Sequence, residues 1–148
     1  FEEAIQQDLK TLDLDPAYEP SIRRLAASYA RLGRVEDALA ATERAEELSG
    51  VSPGYLRVRV LAILGRIDDA EQILRDLKAS SSAPTLGDVS MAELYSLLGK
   101  TDTALSLLDQ AFEARAGDLV WIKVHPAFDS LRQHARFQDL LERMNFPD

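Results

Sequence analysis

The chain has 148 residues, 46% hydrophobic and 28% charged, which suits one compact domain with a real core and excludes a disordered segment. Its 25 acidic against 17 basic side chains leave a net charge of −8, which argues against broad binding to nucleic acid or to an anionic membrane. Cysteine is absent, so disulfides, thiolate catalysis and cysteine zinc sites drop out together, and "VLAIL" before Gly65 falls far short of the roughly 18 apolar residues a spanning helix needs.

In chain order, "FEEAIQQDL" opens in mid-pattern, and residues 1–18 read as a partial repeat: the second helix of a hairpin without its first, as expected of a piece cut from a longer protein. Phe1, Ile5 and Leu9 would then form an exposed apolar side, and a homodimer through that end is one expectation. Residues 19–50 read as a complete hairpin. Glu19-Pro20-Ser21 opens its first helix, with proline where a missing N–H costs nothing, and Gly33 closes it in a left-handed conformation. Ile22, Leu25, Ala26, Tyr29 and Leu32 fall at helical spacing on one face. The second helix, about Val35 to Leu48, carries Glu36 and Asp37 in its first turn, where the helix dipole favours negative charge, and Gly50 ends the hairpin.

"LGRVEDAL" at 32–39 returns as "LGRIDDAE" from Leu64 and "LGKTDTAL" from Leu98, which sets two more repeats at 51–84 and 85–116. The alanines five residues beyond each glycine, Ala38, Ala70 and Ala104, are spaced by 32 and 34 residues, and another 34 back lies Ala4. Self-similarity at this period marks a solenoid in which each unit covers its neighbour's apolar face. Small residues such as Ala26 opposite Ala38 let the two helix axes of a hairpin approach closely. The first helix of the second repeat is expected to be shortened or shifted, and "KASSSAPTLG" from Lys78 reads as a long turn. Residues 117–148 abandon the repeat. Phe137, Leu140, Leu141 and Met144 lie at helical spacing, with Trp121, Phe128 and Leu131 adding apolar surface, so these residues are expected to be capping helices.

Leu25, Ala26, Tyr29, Ala38 and Ala45, matched by Met91, Ala92, Tyr95, Ala104, Leu108 and Ala111, resemble the tetratricopeptide repeat; the second copy, with Arg57, Val58, Leu61, Ala70, Leu74 and Leu77, is weaker because Arg57 stands where leucine is usual. The resemblance covers roughly 1–116 and implies a single all-α domain: a right-handed helical-hairpin solenoid of about three complete repeats, a partial first repeat and a helical cap. The tail, through Pro126, Phe128, Asp129, Leu131, Arg132, Arg136, Phe137, Leu140 and Leu141, is similar to the ends of bacterial tetratricopeptide proteins. In that group the repeats often belong to transcription regulators, kinases or nucleotide cyclases, so a regulatory or signalling parent is implied. Family members that clamp chaperone carboxylates use asparagine with lysine, whereas the only asparagine here is Asn145 and the matching position in the first complete hairpin is Ala27.

No catalytic residue, metal or cofactor is expected. His125 and His134 lack the spacing of a helical metal pair, Asp68 and Asp69 are adjacent and suit a helix N-terminus, and Ser80 to Ser82 have no local histidine. The informative pattern is charge partition: 20–34 holds four arginines and no acid, 53–66 holds three and no acid, and the helices after them are acidic. The family's first helices line the concave side, so the resemblance implies a groove binding a protein or peptide segment, with an acidic one suiting the arginines. Its expected rows are Arg23, Ala27 and Arg31; Tyr55, Arg59 and Ile63; and Val89, Glu93 and Leu97. Arg23 and Arg59 stand away from helix ends and are expected to face a ligand, whereas Arg31, Arg34 and Arg66 are equally readable as dipole partners. A cytoplasmic setting is favoured, with no membrane or nucleic-acid contact.

Overall fold

The computed structural model describes residues 1–49, 54–79 and 87–145, and all regular structure among them is helical. Two compact units divide the chain, Phe1–Pro84 and Thr85–Asp148. The first contains α1 (Glu2–Leu14), α2 (Glu19–Arg31), α3 (Val35–Ser49), α4 (Tyr55–Ile63) and α5 (Ile67–Ala79). The second contains α6 (Asp88–Leu97), α7 (Thr101–Glu113), two 3-10 helices (Gly117–Trp121 and Pro126–Leu131) and α8 (Ala135–Met144). Gly50, Pro53 and the 80–86 part of the expected long turn lie outside the described residues.

The recurring "LG[RK]" is one backbone device. Gly33, Gly65 and Gly99 have φ of 71°, 77° and 72°, and an added Cβ would meet nothing within 4 Å at any of them. Glycine is favoured there by the torsion rather than by crowding. At the first hinge the Gly33 N–H donates to the Ala30 carbonyl and the Arg34 N–H to that of Tyr29; Gly65 with Arg66, and Gly99 with Lys100, repeat both bonds. This pair of bonds satisfies carbonyls that the end of a helix would otherwise leave bare. Helix α7 ends with the same two bonds, from Arg115 to Phe112 and from Ala116 to Ala111, although the left-handed residue is now Arg115 at φ 55°. The hinge thus occurs a fourth time with no glycine to announce it.

Ala38, Ala70 and Ala104 are each wholly buried. In the first unit Ala26 and Ala38 share a core with Ile22, Ala30, Ala45, Leu56 and Val60, so small side chains do sit where α2 meets α3. Ala4 is exposed, and among the described residues no helix covers it. Ile5, however, is only 2% exposed, so the expected open stripe on α1 keeps Phe1 and Leu9 but loses its middle member. Leu32 also departs from expectation: as the residue that caps α2 it has left the helix face and is 38% exposed.

Helix α4 has nine residues where α2 has 13, the shortening expected of the second repeat. Glu46 of α3 explains the join. Its carboxylate accepts from the Gly54 N–H and from the Arg57 guanidinium, both at 2.8 Å, so Arg57 occupies a leucine position because it answers a half-buried acid. Gly54, at φ 120°, has Leu77 side-chain atoms 3.1 to 3.3 Å from where a Cβ would stand, so a larger residue would strain the backbone and press on Leu77.

The second unit has one core, in which Ala92 of α6 and Ala104, Leu105, Leu108 and Ala111 of α7 pack with Leu119, Ile122, Phe128, Leu131, Phe137 and Leu140. The tail is therefore integral to this unit. Leu140 is the fully buried partner of Phe137, while Leu141 is partly buried, and Trp121 is 65% exposed rather than part of the core. Ser96 on α6 adds a buried tie, its hydroxyl donating to the Ala127 carbonyl at 2.7 Å.

Candidate partner-binding surface

Within the first unit α2 and α4 pack against each other, which sets the rows Arg23, Ala27, Arg31 and Tyr55, Arg59, Ile63 on adjoining helices. Of the nine expected groove residues only Arg23 is exposed. Arg31, Tyr55, Arg59, Ile63, Val89 and Leu97 are half-buried, and Ala27 and Glu93 are buried at 5% and 8%. Ile63 packs against the first unit's core and Val89 against that of the second, so part of each row is structural support for its own hairpin. The row on α6 belongs to the second unit and stands by itself.

The arginines of the first unit are mostly committed to acids. Helix α2 begins at Glu19, one residue before the acid-free stretch the sequence suggested, and Glu19 faces Arg23 at 3.8 Å. Arg24 reaches across to Asp8 of α1, with Nε donating at 3.0 Å, and also donates to the Ser21 hydroxyl at 2.8 Å. Arg34 pairs with Asp37 and Arg66 with Asp69, each at 2.7 Å and three residues apart, just after a glycine hinge and within the first turn of the acidic helix that follows. Each of these arginines therefore balances an acid at the start of α3 or α5, and neither belongs to α2 or α4. Exposed pairs of this kind contribute little to stability, from nothing to about 1 kcal/mol. Arg31 donates to the Ala27 carbonyl of its own helix at 3.4 Å and lies 5.5 Å from the Phe1 ring centroid, a cation–π arrangement.

Both histidines do work that spacing rules overlooked. His125 Nδ1 accepts from the Ala127 N–H, and His134 Nδ1 from the Arg136 N–H, both at 3.3 Å, so each caps the helix that follows it. Three residues after each histidine comes a buried phenylalanine, Phe128 at 2% and Phe137 at 0% exposure. The tail thus has a short repeat of its own, His-x-x-Phe, in which a cap sets the helix entry and a ring anchors it. Asn145, the single asparagine, ends α8 in a left-handed conformation at φ 48°. Among the described residues no group of three or more histidine and carboxylate side chains is placed to hold a metal ion, and no helix is long and apolar enough to cross a membrane.

A family model described as tetratricopeptide repeat matches residues 52–76. The match falls on the second repeat, whose residues depart furthest from the family's pattern. No curated protein and no solved structure matches the chain. Residues 52–76 are thus similar to a tetratricopeptide repeat, and the described residues around them form an all-α series of helical hairpins.

Proposed function

We propose that this chain is a non-catalytic module that holds a segment of a partner protein against α2 and α4, with Arg23 and Arg59 as the contacts that select it. The tetratricopeptide match carries the general reading, since such repeats serve protein association. Arg23 favours the particular surface: it is the one exposed member of the expected rows, and its own acid is 3.8 Å away, the longest of the first unit's arginine–carboxylate pairs described above. A partner carboxylate would displace Glu19 at little cost. The segment is accordingly acidic, with apolar side chains resting beside Tyr55 and Ile63. A quantitative pull-down comparing the native chain with an Arg23→Glu, Arg59→Glu variant tests this. Loss of recovered partners from the variant supports the surface, and unchanged recovery removes it. The tail's likeness to bacterial regulatory proteins supports placing the module within such a protein, beside a kinase, cyclase or DNA-binding domain; a full-length gene encoding only further repeats would contradict that placement.

Self-association is a second reading, favoured by Phe1, Leu9 and Leu14 at 61%, 38% and 89% exposure on α1 and its N-cap. With Ile5 buried, the patch is broken and a dimer through it would be weak. Sedimentation of the native chain against a Phe1→Ser, Leu9→Ser variant decides it: a dimer seen for both rules out this surface.

A further inference from the structure

The first unit has a second concave feature, away from the expected rows. A cleft of about 400 Å³ opens among α3, α4 and α5, with Leu39, Leu61 and Ile73 supplying apolar walls. This volume is in the range that accepts a few side chains of a ligand. Its polar lining is mostly spent. Arg57 is held by the half-buried Glu46 at 2.8 Å and Arg66 is balanced by Asp69 at 2.7 Å, so the two cations are matched by two carboxylates and leave no net positive charge for an incoming anion. The Gln72 amide donates to Asp76 at 3.0 Å and its oxygen accepts from Arg75 at 2.8 Å.

Glu43 is the exception. It is exposed at the cleft, and no hydrogen bond or ion pair to another described residue engages its carboxylate. The charges around the cleft keep a negative balance: α3 carries five acids against one arginine and α5 four acids against two cations, a net charge of −6 that Arg57 and Arg59 of α4 and Arg66 reduce to −3. A cleft with apolar walls, polar groups that are already paired and one free carboxylate at its edge, in surroundings of net negative charge, suits a side chain that is apolar along its length and accompanied by a positive charge. We propose that this cleft is a docking site for a cationic, amphipathic segment of a partner protein, whose leucine-like or aromatic side chain enters between Leu39 and Ile73 while a neighbouring lysine or arginine meets Glu43. Its charge preference is opposite to that of the α2 and α4 surface, so one module would take two chemically distinct segments at once, each unable to occupy the other's place.

The test uses a fluorescein-labelled peptide of two leucines flanked by lysines, and a twin with glutamates for the lysines, titrated into the native chain by anisotropy with methyl chemical shifts recorded in parallel. The lysine peptide should bind saturably, shift the Leu39, Leu61 and Ile73 methyls, and lose about tenfold in affinity in Glu43→Lys, as a like charge at a docking rim demands. Asp13→Lys makes the same change in net charge on α1, outside the cleft, and should alter affinity by less than about twofold at physiological salt, where distant charges are screened. The Arg23→Glu, Arg59→Glu variant should bind this peptide as the native chain does, so failure of the α2 and α4 surface would leave the cleft standing. Equal losses in Glu43→Lys and Asp13→Lys would reduce the effect to net charge and overturn the site. Binding without movement of the three methyls, equal binding of the glutamate twin, or no binding at all would overturn it too.

Discussion

Asp8 on α1 is buried, and it accepts hydrogen bonds from both Nε and Nη2 of Arg24 on α2. The pair is lopsided: the Asp8 side chain is 5% exposed and that of Arg24 55%. Removing the arginine strands a carboxylate away from water, whereas removing the acid frees a cation that already reaches solvent. Arg24→Ala should therefore cost about 2 kcal/mol, less than a fully buried pair because water screens one partner, and Asp8→Asn about 1 kcal/mol or less. Urea melts measure the order, and equal losses would mean that the pair behaves as an ordinary surface contact.

Phe137 and Arg136 are adjacent in sequence and opposite in environment. Phe137 is wholly buried in the second unit's core, while Arg136, its side chain 43% exposed, pairs with Asp109 at 2.7 Å. Phe137→Ala should cost about 3–5 kcal/mol through lost transfer energy and the cavity left behind, and Arg136→Ala about 1 kcal/mol or less. Small, equal losses in denaturant melts would show that the tail is a loose appendage.

The hinge after α7 is strained by its side chain. Arg115→Gly should stabilise the chain by about 0.5–1 kcal/mol, because relief of the left-handed conformation outweighs the extra freedom of an unfolded glycine. Gly99→Ala, at φ 72° with no atom near the new Cβ, should cost about 1 kcal/mol from the backbone alone. Opposite signs in paired thermal melts bear this out, and a destabilising Arg115→Gly refutes it.

Much of this was readable from the amino acids because it is local. Gly33, Gly65 and Gly99 demand a torsion that few other residues adopt, and the alanines at a fixed distance from them report close helix packing, so hairpins could be set out by counting. Arg115 hid the fourth hinge, since its torsion is imposed by the two hydrogen bonds around it rather than favoured by its own chemistry. Trp121 was misplaced for another reason. In a 3-10 helix the i, i+3 rule holds but the faces rotate differently from an α-helix, and Leu119 and Ile122 point inward in its stead. The groove rows were the least legible, because sharing a helix face says nothing of whether the face meets solvent or a neighbouring helix. The acids that take up Arg24 and Arg57, Asp8 and Glu46, lie 16 and 11 residues away on other helices.

The two histidine caps make a further prediction. His125→Ala and His134→Ala should each cost about 0.5–1 kcal/mol, and His→Asn at the same places should restore most of it, since asparagine also accepts from a helix N-terminus. Thermal melts that leave the alanine variants at the native midpoint would remove the capping role.

Amide hydrogen exchange of the chain, free and with the protein partner that it recovers most strongly, tests the proposed binding surface most directly. Protection on binding should concentrate in α2 and α4, over Arg23–Arg31 and Tyr55–Ile63, with α7 and α8 unchanged. Protection confined to the second unit, or to α1 alone, would contradict it.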